Sequence, residues 1–161
     1  RLAADDDLLA SLDFVVASVH HGFGDDVRMT ERLLAGVRHP LVTFLGHPTG
    51  RLFGAREPAA IDVDAVARAC VDHGVVLEIN GSPTRMDLPS REVRSVAREG
   101  VTFVVTPDAH DTSELAHTKL AVGLARRGNL SREAVINTRD RASMSDYLRG
   151  RRVRAVGVAV A

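Results

Sequence analysis

Val101-Thr102-Phe103-Val104-Val105-Thr106-Pro107-Asp108-Ala109-His110 is the stretch that decides the fold. Valine, threonine and phenylalanine dominate its first half, the composition of a buried strand. Pro107 has no amide hydrogen to give to a sheet ladder, so the strand should stop there. The stop delivers a carboxylate and an imidazole into one small volume. Asp108 and His110 share a parity and face the same way if the extended geometry persists. Carboxylate oxygen with imidazole nitrogen suits Zn²⁺, Mn²⁺ or Fe²⁺. The plainer alternative is a turn, in which Asp108 caps the helix that follows and His110 is merely exposed.

Working outward, the same pattern recurs upstream. Leu12-Asp13-Phe14-Val15-Val16-Ala17-Ser18-Val19 is strand-like and ends at His20-His21-Gly22. Asp25 to Val37 reads as a helix, with Met29, Leu33, Leu34 and Val37 at helical spacing. Leu41 to Leu45 is a second strand, ending at Gly46-His47-Pro48. Asp62 should cap a helix carrying Val63, Val66, Ala67 and Cys70, closed by Gly74. Val75 to Ile79 is a third strand and ends at Asn80. Ser90 should cap a helix that turns Val93, Val96 and Ala97 inward.

Strands therefore begin near residues 14, 41, 75 and 101. Such steps fit βαβ units and parallel strands. The fold class is α/β. Sites in such folds form at the carboxyl ends of the strands. Here those ends carry His20, His47, Asn80, and Asp108 with His110. Beyond the last strand, Thr112 or Ser113 should start a helix and Ser131 another over 132–136. Met144, Tyr147 and Leu148 suggest a final turn or two. Residues 151–161 read as a basic and apolar tail, either an extra strand or loose.

Composition excludes several classes. The chain has 161 residues, enough for one domain or a large piece of one. Lys plus Arg and Asp plus Glu number 21 each, so no overall basic field draws it to nucleic acid or membrane. Local arginine clusters can still serve a nucleic-acid substrate. Cys70 stands alone, which precludes an internal disulfide and suits a cytoplasmic setting. No apolar run approaches a membrane span, and no signal peptide is evident. A start at Arg1 rather than Met reads as a piece of something longer.

His20, His47, Asp108 and His110 would suffice for one metal ion with an open position. A bound metal activates water and polarises a phosphoryl or acyl oxygen, so the catalytic group expected is metal-bound water, with no protein nucleophile. Each histidine could instead be satisfied by a backbone carbonyl. His21 would point away from His20 in an extended chain. Arg51 and Arg85 follow strand ends closely and could hold a phosphate bidentately, or be solvated loop residues. Glu78 and Asn80 share a strand face. A buried Glu78 needs a partner, such as an arginine. Asn80 could orient substrate or serve structural hydrogen bonding. Cys70 reads as a small core residue.

Four motifs together resemble the PHP (polymerase and histidinol phosphatase) domain. They are Ala17-Ser18-Val19-His20, Gly46-His47-Pro48-Thr49-Gly50-Arg51, Leu77-Glu78-Ile79-Asn80 and Asp108-Ala109-His110. Gly46 to Glu57, Ser82 to Leu88 and Gly123 to Gly128 resemble the carboxyl-terminal PHP domain of bacterial family X DNA polymerases in particular. The likeness covers roughly residues 12 to 150. It implies that residues 1–150 are the carboxyl-terminal portion of a distorted seven-stranded (β/α) TIM-like barrel. It also implies up to three metal ions, Mn²⁺ or Zn²⁺, and hydrolysis of phosphoesters. In that family the activity is 3′–5′ exonuclease and 3′-end or abasic-site processing in DNA repair. His20, His47, Asp108 and His110 match four family ligands, and Arg51, Arg85 and Asn80 are the substrate contacts expected. The family's His-x-His pair and three further ligands would lie before residue 1. Polymerase and helix-hairpin-helix domains are expected in the full-length protein, with DNA 3′ ends as partner and no membrane contact. The alternatives are a histidinol-phosphatase-like enzyme acting on small molecules, and a non-catalytic structural PHP module.

Overall fold

A computed structural model describes residues 2–159. Four strands form one sheet: β1 (Val16–Ala17), β2 (Phe44–Leu45), β3 (Val76–Asn80) and β4 (Phe103–Thr106). Their order is β1-β2-β3-β4 and every pairing is parallel. The helices are α1 (Asp6–Ser11), α2 (Asp26–Val37), α3 (Val63–His73), α4 (Ser90–Val96), α5 (Thr118–Arg127) and α6 (Arg141–Ala159). Strand and helix alternate from β1 to α5, as the sequence predicts. The strands in the structure are shorter than the apolar runs that contain them. The described residues form an open sheet of four strands and do not close the seven-stranded barrel that the resemblance implies.

Several helix ends follow from local chemistry. The Asp25 carboxylate accepts the Arg28 amide at 3.0 Å and starts α2. Asp62 accepts the Ala65 amide at 2.8 Å and starts α3. Gly74 takes a left-handed conformation, φ 62°, and closes α3 against the carbonyls of Cys70 and Val71. Other ends differ from expectation. Pro89, not Ser90, occupies the cap position of α4, and no side chain caps it. Asp111 caps a 3₁₀ segment over Thr112–His117 before α5 begins. The helix expected over 132–136 does not form; residues 132–135 are bend, turn and bridge, and a 3₁₀ turn covers Ile136–Thr138.

Sheet parity decides what each residue meets. Leu45, Leu77, Ile79, Phe103 and Val105 join Met29, Leu33, Val66, Cys70, Val96 and Leu124 in the main core, so α2 to α5 cover one face. Phe44 and Val76 turn the other way, onto Met144, Tyr147 and Leu148 of α6. Glu78 and Asn80 share the face of Val76 and stand at the carboxyl end of β3. The outer edge of β4 is closed as well. Asn137 accepts the Val105 amide at 2.8 Å and donates to its carbonyl at 3.0 Å, in the manner of a strand neighbour.

The expected tail is the clearest difference in architecture. α6 runs on through Ala159. Arg151 ties it down, donating to His73 O at 2.7 Å and to Val42 O at 2.6 Å, and Ala155 is buried. An arginine that satisfies two carbonyls at the ends of other elements anchors what its composition suggests is a loose end. The last two residues of the tail lie outside the described residues.

Candidate active site

The carboxyl ends of the four parallel strands share one rim. His20 follows β1, His47 follows β2, Asn80 ends β3 and Asp108 follows β4. Two of these residues sit in the left-handed region, His47 at φ 28° and Asp108 at φ 54°. Non-glycine residues there are strained and persist where neighbours hold them. The imidazoles of His20 and His47 meet edge to face, ring centres 5.1 Å apart. Arg85 arrives from the loop after β3, and its Nε donates to Asp108 Oδ2 at 3.0 Å. Both side chains of that pair are largely shielded, 15% and 22% exposed.

His47 is the most constrained of the group. Burial pushes its pKa down to about 4, and the Arg85 guanidinium lowers it further while Asp108 opposes. The ring is therefore neutral near pH 7, the form that ligates metals. Its Nδ1 is buried with no hydrogen-bond partner among the described residues. An unpartnered nitrogen on a buried neutral imidazole, beside a second imidazole and a carboxylate, fits the donor chemistry of Zn²⁺ or Mn²⁺.

His110 does not join them. Its side chain is 82% exposed, and its Nδ1 lies 2.9 Å from the carbonyl of Asp108. The cause is local: the left-handed turn at Asp108 breaks the extended parity that would place both on one face. Among the described residues, no three His, Cys, Asp or Glu side chains are gathered closely enough to hold an ion. Nor does Asp108 cap the following segment; Asp111 does.

The expected substrate contacts divide. Arg85 keeps one buried donor free, because Nη1 has no partner among the described residues. Arg51 is taken up: Nε and Nη2 donate to the carbonyls of Arg85 and Met86. It braces the loop that presents Arg85. Asn80 is fully buried and also committed, accepting the Ser82 amide at 2.9 Å and donating to Glu78 at 3.3 Å. Glu78 has no arginine partner among the described residues. Its Oε1 accepts from the Thr106 hydroxyl at 2.6 Å and its Oε2 from the His47 amide. Burial raises its pKa, and these hydrogen bonds oppose the rise.

Asp87 carries a role that sequence reasoning missed. It is fully buried, and Oδ2 accepts the amides of Thr49 and Gly50, both at 3.0 Å. It thus joins the loop after β3 to the loop after β2. Burial raises its pKa to about 6, against the pull of Thr49, Arg51 and the amides. The signal available was a carboxylate flanked by Met86 and Leu88, an apolar setting that invites burial. Cys70 is buried and its thiol is pushed up to about 12, which removes it as a nucleophile.

Comparison with known proteins adds to this geometry. The chain is 34% identical over 146 residues to the DNA polymerase/3′-5′ exonuclease PolX of Bacillus subtilis, matching 90% of this chain and 26% of that protein. It is 29% identical over 167 residues to a probable phosphatase of Caldanaerobacter subterraneus subsp. tengcongensis, matching 98% of this chain and 63% of the relative. A probable phosphatase of Caldicellulosiruptor saccharolyticus is 26% identical over 137 residues, matching 80% of this chain and 55% of the relative. The chain is a homologue of these proteins. It spans about a quarter of the polymerase and somewhat over half of each phosphatase. No family model matches it. No helix among the described residues is long and apolar enough to cross a membrane.

Proposed function

We propose that this chain is part of a metal-dependent phosphoesterase of the PHP type, belonging to a family X DNA polymerase and hydrolysing phosphodiesters at DNA 3′ ends. The observation that carries the proposal is the meeting of His20, His47, Asp108 and Arg85 at one strand-end rim. His20, His47 and Asp108 are the rim residues proposed to close on the ion, Mn²⁺ or Zn²⁺, and His110, whose side chain is turned outward in the structure, is the fourth proposed ligand. A metal bound there would lower the pKa of a water and polarise a phosphoryl oxygen. Arg85 steadies Asp108 through Nε and offers its free Nη1 to a phosphate oxygen. Arg51 acts indirectly, by bracing the loop that carries Arg85. In the reaction, water oxygen bonds to phosphorus, the ester P–O bond breaks, and the departing oxygen takes up a proton. Polymerase and helix-hairpin-helix domains, and a cytoplasmic setting, belong to the same proposal.

A second reading has its own support. Two of the relatives are probable phosphatases, matched over 63% and 55% of their lengths. On this reading the substrate is a small phosphomonoester. The test is an assay of the full-length protein with Mn²⁺ on 3′-recessed DNA and on p-nitrophenyl phosphate. Shortening of the DNA at a rate above monoester turnover is expected. Turnover of the monoester alone would select the second reading, and turnover of neither with Mn²⁺ or Zn²⁺ would defeat both.

A further inference from the structure

Glu78 lies where no ligand or substrate contact is assigned, yet three strands converge on it. Its side chain is buried, with 7% of the residue exposed. Among the described residues no arginine or lysine donates to it. Its partners are neutral donors from different elements: the Thr106 hydroxyl at the end of β4, the Asn80 amide at the end of β3, and the backbone amide of His47 after β2. A fourth element crowds the same point. A Cβ added to Gly46 would lie 2.4 Å from Ser18 Oγ and 3.5 Å from Glu78 Oε2. Gly46 therefore lets the chain after β1 and the Glu78 carboxylate close on the residue just before His47.

We infer that Glu78 is a positioning residue, whose carboxylate holds His47 in its left-handed backbone and locks the ends of β2, β3 and β4 into one rigid rim. This rests on the reading of the rim as a metal site. Among the described residues the carboxylate makes no hydrogen bond to the imidazole of His47 or to Asp108. It acts on the main chain from which the His47 ring projects. The strained φ of 28° at His47 needs such a restraint, because a histidine free of it relaxes to a negative φ. A carboxylate can satisfy these donors at once because both oxygens accept. A glutamine has only one accepting oxygen, and an aspartate is one methylene too short to reach.

The experiment uses the full-length protein and the variants Glu78→Gln, Glu78→Asp and Thr106→Val. Two quantities are read: hydrogen exchange of the His47 amide relative to that of Phe103, and Mn²⁺ affinity by electron paramagnetic resonance. Exchange at His47 should quicken about tenfold or more in both Glu78 variants while Phe103 is unchanged. Mn²⁺ affinity should fall roughly 10- to 100-fold, as for other groups that orient metal ligands. Thr106→Val should shift both in the same direction by less, with no change of charge. It also carries the test if the Glu78 variants fail to fold. Near-normal affinity in Glu78→Asp with loss in Glu78→Gln would mean that Glu78 contributes only charge, and would overturn the inference. Unchanged His47 exchange, or faster exchange with unaltered Mn²⁺ affinity, would overturn it too. Failure of the unaltered protein to bind Mn²⁺ would defeat the metal reading itself, a distinct outcome.

Discussion

The loops after β2 and β4 begin alike and end differently. Each turns through a non-glycine residue of positive φ, His47 in one and Asp108 in the other. After β2, every residue through Gly50 is buried, and two buried carboxylates, Glu78 and Asp87, accept three of its amides. After β4, the chain emerges into solvent, and Arg85 holds Asp108 from outside the loop. His110, two residues on, is exposed. A backbone gripped by buried acceptors presents its side chain in one place, because leaving those amides unpaired would cost about 1–3 kcal/mol each. A backbone at the surface has no such restraint. The β2 loop is thus the fixed half of the rim and the β4 loop the adaptable half.

The widest separation between the halves should appear in metal affinity. His47→Ala should weaken Mn²⁺ binding by more than about 100-fold, beyond the loss usual for groups outside the ligand set. Isothermal titration of the full-length protein measures it. An unchanged affinity would remove His47 from the ligand set and erase the contrast.

Next in size is the pH dependence of stability that belongs to Asp87. Its folded pKa of about 6 lies above the ordinary 3.8, so folding favours the protonated form. Stability from this group is fully present below pH 3.8 and is lost as pH rises through about 6. A shift of that size corresponds to something on the order of 3 kcal/mol. Urea midpoints from pH 4 to 8 should fall across this window, and Asp87→Asn should flatten that part of the curve.

A smaller loss should follow crowding behind β3. A Cβ on Gly81 would lie 2.4 Å from the carbonyl of His117 and 2.9 Å from the amide of Ala121. These are backbone atoms and cannot step aside, so Gly81→Ala should destabilise by about 2 kcal/mol in thermal or urea unfolding. The smallest effect should come from the adaptable half. His110→Ala should change stability by under about 0.5 kcal/mol, as surface substitutions do. Its Mn²⁺ affinity should fall less than that of His47→Ala. A loss equal to that of His47→Ala would show that the β4 loop is as fixed as the β2 loop.

Much of the fold was legible in the chain. Asp25, Asp62 and Gly74 mark helix ends by local hydrogen bonding that needs no distant partner. Ser90 and Ser131 look like similar marks and are not. Pro89 already sets the extended entry to α4, and the chain after Ser131 forms turns rather than a helix. Of the site, the identity of the rim residues was legible because apolar runs stop abruptly at polar ones. The distant partners of Glu78, Thr106 and His47, and the burial of Asp87 were not, since those contacts span 28 to 38 residues of sequence.

By itself the sequence determined the alternation of strand and helix, the parallel direction of the strands, and which residues stand at the strand ends. These follow from periodicity and from turn and cap chemistry, which act over a few residues. Tertiary structure alone decided that His20 and His47 face each other while His110 turns outward. It also decided that Arg51 braces a loop and that a basic tail continues as a helix. Those outcomes depend on backbone rotation at single residues and on buried acceptors brought in from other strands. No local pattern records either, because both exist only once the sheet has assembled.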